Sequence, residues 1–199
     1  NFIAAMPAEM AKNSRFTAVE LDPITGKILK QLQQKADVHI KGLEETSLPE
    51  GSFDLVISNV PFGDIAVKDK AFKAKKDKRF SQAANSIHNY FFAKSLDLVR
   101  PGGLVAFVTS RYTMDSTQNK AVRELISDHA EFMGAIRLPG TAFVDNAGTE
   151  VVTDVIFLRR LNEGEEPVKN NDFLNVASTS ITQDGKKYKL DYNKYYHTN

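Results

Sequence analysis

The sequence predicts an α/β fold, a mostly parallel sheet with helices on both faces. Three observations predict it. Short apolar runs with the character of buried strands recur at 15–21, 36–40, 53–58 and 104–109. Stretches with helical spacing separate them, one carrying Ile24, Ile28, Leu29 and Leu32, another Ile87, Phe91, Phe92, Leu96 and Val99. Two strand ends carry polar groups and then a proline, Glu20-Leu21-Asp22-Pro23 and Ser58-Asn59-Val60-Pro61. In a doubly wound sheet the carboxyl ends of the strands form the ligand crevice, so these ends are where chemistry is expected.

The elements follow in order. Phe2, Ile3, Met6 and Met10 share a helical face, so the chain is expected to open on one helix. Strand 15–21 leads into Asp22 and Pro23, a good N-cap and first-turn pair for the next helix. Strand 36–40 is followed by Lys41-Gly42-Leu43-Glu44-Glu45, and Pro49-Glu50-Gly51-Ser52 turns the chain into strand 53–58. A helix spans 88–99, Arg100-Pro101-Gly102-Gly103 makes a tight turn, and strand 104–109 follows. The stretch 110–116 is then a loop at the crevice that could touch substrate. A helix over 121–126, a strand over 132–138 and a strand over 149–158 complete the core. From Asn162 the composition turns polar, and Gly164-Glu165-Glu166-Pro167 reads as a linker. Two regions are expected, a domain over 1–161 and a polar extension over 162–199.

Composition bounds the function. The chain has 199 residues, 42% of them hydrophobic, enough for one α/β domain with a sizeable core. Lys+Arg 26 against Asp+Glu 25 leaves almost no net charge, so a nucleic-acid partner must be argued from local clustering. The absence of cysteine excludes a disulfide framework and a thiolate metal site, and fits a cytoplasmic protein. No apolar run approaches ~18 residues, so no transmembrane helix is expected.

Asn59-Val60-Pro61-Phe62 is the stretch that organises the reading. Pro61 fixes its own φ and holds Val60 extended. The Asn59 amide oxygen and the Val60 carbonyl are two acceptors, and Phe62 is a flat platform. The stretch serves either as a strand-terminating turn or as a small site that holds a planar amine, such as the N6 amine of a flipped adenine.

It resembles the (Asp/Asn/Ser)-Pro-Pro-(Tyr/Phe) motif of amino-methylating, S-adenosylmethionine-dependent DNA methyltransferases. From Phe16 to Asp64 the chain resembles the N6-adenine methylase domains of type I restriction-modification subunits and of helicase-fused proteins on plasmids and phages. The resemblance covers about 1–161. It implies a Rossmann-like methyltransferase fold with S-adenosylmethionine as cofactor and DNA as partner, and no metal. It implies that Asn59, Val60, Pro61 and Phe62 are the catalytic stretch. Glu20, with Leu21, matches the acidic position that holds the cofactor ribose; read alone, Glu20 is a solvated strand-end acid. Leu43 and Glu44 stand where the family places an apolar residue and an acid on the cofactor adenine. Val60 departs from the usual proline, although the family uses the backbone carbonyl there. Asn1-Phe2 resembles the end of the family's glycine loop. A chain lacking the first strand and its glycines, part of a larger polypeptide, is therefore expected. A second substrate reading is protein glutamine or an RNA amine, and a third is a weakly active or inactive DNA-binding module.

Beyond Asp64, seven basic residues fall within the twelve of 68–79, against Asp69 and Asp77. Such a run is usually a solvated, mobile face. Leaving directly from the proposed catalytic loop, it is also a candidate phosphate surface through Lys73, Lys75, Lys76, Lys78 and Arg79.

Overall fold

The structure, a computed structural model, describes residues 2–63, 65–144, 148 and 150–198. Asn1, Asp64 and Thr149, used in the sequence reading, lie outside the described residues. The chain divides into two compact units, Asn1–Leu48 and Pro49–Asn199.

In the first unit the opening helix is shorter than its apolar spacing predicts. Pro7 stands at the N-cap, and α1 spans only Ala8–Lys12 with no buried residue. Phe2 and Met10 are exposed, so the expected apolar face is not buried. β1 (Thr17–Glu20) and β2 (Asp37–Ile40) pair in parallel, with Glu20 opposite Ile40. Between them runs α2 (Pro23–Leu32), capped by Asp22, whose carboxylate accepts the Thr25 N–H at 2.7 Å. Gly26 lets α2 approach β2: a Cβ there would stand 2.9 Å from Ile40 Cγ1. Ile24, Ile28 and Leu32 form the predicted stripe but stay exposed.

The second unit is built on a four-stranded sheet of order β3-β4-β6-β5. β3 (Phe53–Asn59) and β4 (Val99–Ser110) are parallel. β6 (Thr153–Arg160) runs antiparallel to both β4 and β5 (Ala130–Leu138). Alternation along β4 decides which face is covered. Val105, Phe107 and Thr109 are fully buried, and Phe107 meets Phe92 edge-on at 4.9 Å. Phe92 lies on α5 (Ile87–Leu98); Leu125 and Ile126, on α6 (Lys120–His129), complete this core. The opposite face carries Leu55, Ile57, Leu104, Met133 and Phe157, all more than a third exposed, around an apolar depression of about 420 Å³.

The basic run is folded. α3 (Lys70–Lys73) and α4 (Lys78–Ala83) are capped by Asp69 and Asp77, the two acids within the run. Phe72 and Phe80 are buried and pack edge to face at 5.2 Å. Two aromatic anchors and two caps account for order where charge alone predicts a mobile segment.

The C-terminal stretch also has more structure than its weak periodicity suggests. β7 (Val176–Gln183) and β8 (Lys186–Asn193) form a hairpin. Asp184 (φ 50°) and Gly185 (φ 73°) make its turn. Phe173 stacks on Phe132 at 4.2 Å, and the fully buried Asn193 side chain donates to the Met114 and Phe173 carbonyls. Among the described residues, no helix is long and apolar enough to cross a membrane.

Candidate active site

β3 ends at Asn59 because the chain leaves the ladder one residue later. The Val60 N–H still donates to the Val108 carbonyl at 2.9 Å, and the Val60 side chain is 1% exposed. Pro61 has no N–H to continue the pairing. Gly63 then takes φ 144°, a backbone conformation that favours glycine. The outcome is a strand end anchored from below by Val60. Asn59, Pro61 and Phe62 are exposed around it, Phe62 at 42%. Among the described residues no hydrogen bond engages the Asn59 side chain, so its amide oxygen and nitrogen remain free for a ligand. Asn59 lies on the sheet face of Leu55 and Ile57, whose apolar depression begins one residue pair below it. A second depression, lined by Pro101, Asp128, His129 and Arg160, holds none of the predicted site residues.

The loop after Phe62 approaches the first turn of α5. Ser86, its N-cap, donates from Oγ to the Gly63 carbonyl at 3.4 Å and lies 2.8 Å from His88 Nδ1. His88 and Asn89 are buried here. Single-sequence reading could not find this contact, because the loop and Ser86 are twenty-three residues apart.

In the first unit, Glu20 Oε1 accepts the Asp22 N–H at 2.9 Å. That bond fixes the carboxylate at the end of β1 and leaves its other oxygen open. Leu21 beside it is 72% exposed. Because β1 and β2 are parallel, Glu20 and the turn Leu43–Glu45 share one carboxyl edge. Leu43 is half-buried and Glu44 exposed, with the Glu44 carboxylate folded back against Gly42. Glu20 can thus accept from a diol, and Leu43 can cover an apolar ring. Among the described residues no group of three His, Asp or Glu could hold a metal ion.

The five basic candidates divide. Lys75 Nζ pairs with Asp97 at 2.5 Å and lies 4.4 Å from the Phe80 ring centre. Arg79 is held by Asp77 and Asp128, both at 2.6 Å. Lys73, Lys76 and Lys78 are exposed and make no ion pair among the described residues. Asp69 ties the segment to α5 by accepting from the Tyr90 hydroxyl at 2.8 Å and from Lys94 at 3.4 Å. Burial acts to raise the Asp69 carboxyl, but the Phe72 N–H, Tyr90 and Lys94 outweigh it and hold it below the usual range.

Comparison with known proteins supplies the family. The Eco57I restriction-modification methylase family model matches residues 6–142. Over 146 residues the chain is 34% identical to the defense against restriction protein B of Escherichia phage P1, covering 72% of this chain and 6% of that protein. Over 184 residues it is 27% identical to the type II methyltransferase M.XamI of Xanthomonas campestris pv. amaranthicola, covering 81% of this chain and 33% of that one. The chain thus spans a third or less of these curated relatives. Among solved structures, a modification subunit of a type I restriction enzyme from Vibrio vulnificus YJ016 superposes with a TM-score of 0.59 at 15% identity, over 80% of this chain and 38% of that one. The EcoKI M protein gives 0.54 at 18% identity, over 79% and 34%. A class I S-adenosylmethionine-dependent methyltransferase from Listeria monocytogenes gives 0.53 at 17% identity, over 81% and 58%. On the fold of class I S-adenosylmethionine-dependent methyltransferases, the chain belongs to the Eco57I restriction-modification methylase family.

Proposed function

We propose that this chain is the methyl-transferring part of a DNA methyltransferase that acts on adenine N6. The observation that carries the reading is the Asn59 amide at the end of β3, without a hydrogen bond among the described residues and followed by the anchored Val60 and the exposed Phe62. When bound, S-adenosylmethionine supplies an electrophilic methyl group. Glu20 has an oxygen open to receive its ribose hydroxyls, and Leu43 an apolar surface for its ring. The Asn59 oxygen and the Val60 carbonyl each accept one hydrogen from the target amine. That directs the nitrogen lone pair and stabilises positive charge developing on nitrogen. Phe62 stacks on the extruded base. Lys73, Lys76 and Lys78 are the cations available to phosphates.

Valine at position 60 is compatible with this chemistry. The motif uses a carbonyl there, which valine retains, and the Val60 N–H adds a bond to β4 that proline could not make. This favours an active site over an inactive DNA-binding module. The test is single-turnover methyl transfer from labelled cofactor to unmethylated genomic DNA by the full-length protein. Asn59→Ala should lower the rate by ~10²–10³-fold, the usual loss for one preorganised polar contact at a reacting centre, with melting temperature unchanged. Product analysis should find N6-methyladenine. A fully active Asn59→Ala protein, or label on another base, would overturn the assignment.

A further inference from the structure

The corner that follows β4 holds groups the methyl transfer leaves unused. Tyr112 is 57% exposed, yet its backbone is held at both ends. Its N–H donates to Ser110 Oγ at 3.2 Å, and its carbonyl accepts from Asn119 Nδ2 at 2.8 Å. Asn119 Oδ1 in turn accepts from the buried Asn89 at 2.8 Å. Asn89 lies in the first turn of α5, whose cap Ser86 reaches the Gly63 carbonyl. A chain of polar contacts therefore links the Tyr112 corner to the loop that carries Phe62. The Arg111 guanidinium lies 5.3 Å from the Tyr112 ring centre and 3.7 Å from Asp115. Asp115 is buried and fixed by Arg137 at 2.9 Å and the Asn193 N–H at 2.9 Å. Hydrogen bonds and ion pairs hold this corner, and it presents a largely exposed aromatic ring with a guanidinium over it.

Its place on the sheet matters as much as its bonding. Asn59 is the register partner of Val108, four residues before Tyr112. Thr109 and Ser110 carry β4 roughly 7 Å beyond that pair, and Arg111 then turns the chain into Tyr112 at the same carboxyl edge of the sheet. We propose that Tyr112 stacks on a DNA base next to the target, with Arg111 facing an adjacent phosphate. The proposal rests on the DNA methyltransferase reading above. Extruding a base removes a stacking partner from its neighbours, and a fixed aromatic ring replaces that contact. A cation this close to the ring centre suits the phosphate that flanks the stacked base.

The chain has no tryptophan, so Tyr112→Trp in the full-length protein adds one emission whose difference from the unsubstituted protein reports this position. Duplex fragments of unmethylated genomic DNA should quench the added emission as they bind, with binding followed separately by anisotropy of labelled DNA. In single-turnover methyl transfer, Tyr112→Ala should lose on the order of ten- to a hundred-fold, the usual effect of removing one base-stacking ring, and Tyr112→Phe should stay near the parent rate. Arg111→Gln should reduce the salt slope of DNA binding by about one unit. Bound DNA without quenching, or a Tyr112→Ala protein with parental rate, would overturn the contact. Asn59→Ala run in parallel separates the two readings. If Asn59→Ala is inactive beside a fully active Tyr112→Ala, only the stacking contact falls. If Asn59→Ala is fully active, the placement of methyl transfer at Asn59 falls instead.

Discussion

Replacing Val60 with proline would match the Pro-Pro motif that this stretch resembles, and it should nonetheless destabilise this protein. The Val60 N–H donates to the Val108 carbonyl at 2.9 Å, and its side chain is 1% exposed beneath the loop. Proline keeps most of the buried bulk but removes the donor, and it adds its own restriction on Asn59. Losing one hydrogen bond while stranding its acceptor costs about 1–3 kcal/mol. Val60→Ala makes the reciprocal change, keeping the N–H and losing buried methyl groups, at about 1.5–2 kcal/mol. For a chain of this size each kcal/mol lowers the melting temperature by roughly 2–4 °C. Both variants should therefore melt about 2–12 °C lower, followed by circular dichroism. Methyl transfer per folded molecule should survive in Val60→Pro, because the carbonyl that the mechanism uses is unchanged. A Val60→Pro protein that melts at or above the parent would refute the idea that this strand-end bond anchors the site.

The basic segment should separate into two classes. Lys73→Ala, Lys76→Ala and Lys78→Ala should each flatten the salt dependence of DNA binding by up to about one unit without moving the melting temperature. Lys75→Ala should instead cost about 1–3 kcal/mol of stability, because it leaves the mostly buried Asp97 carboxylate unpaired. Burial, then Arg79, holds the His129 imidazole below its usual 6.5, so the unfolded chain takes up that proton more readily. Its contribution to stability is complete above pH 6.5 and is lost as pH falls through the folded value. His129→Gln should flatten the melting curve over that acidic window, and an unaltered pH profile would contradict it. Asp69→Asn should weaken the docking of 70–83 onto α5, seen as faster amide exchange in that segment than in the sheet.

Much of the fold was legible because its signals are local. The Asp22-Pro23 cap, the β3 run and the helix over Ile87–Leu98 each declare themselves within a few residues. The misreadings fall where one residue overrules a pattern. Pro7 cuts an apolar helical spacing short, so Phe2 and Met10 end exposed. Asp69 and Asp77 look like diluting charges in a lysine run and act as helix caps. Asp184-Gly185 is a hairpin signal in a stretch whose strands alternate too weakly to be noticed first.

The site was legible only in part, for a physical reason. Asn59 and Phe62 stand out because they crown a strand in sequence, and they are exposed, with no side-chain hydrogen bond or ring contact among the described residues. Partner choice is different, because it depends on which distant acid arrives beside which base. Lys75 and Lys76 are adjacent and identical in sequence. One finds Asp97, twenty-two residues away, and the other makes no ion pair among the described residues. No spacing rule distinguishes them; the docking of Phe72 and Phe80 does, by turning the Lys75 stem inward over their rings. The same holds for Tyr112, one residue among the seven of the expected 110–116 loop until Asn119 and Asn89 tie it to the helix beside the Asn59 loop. What sequence withholds here is therefore how packing assigns each charge and ring either to the protein's own interior or to the surface left for a partner.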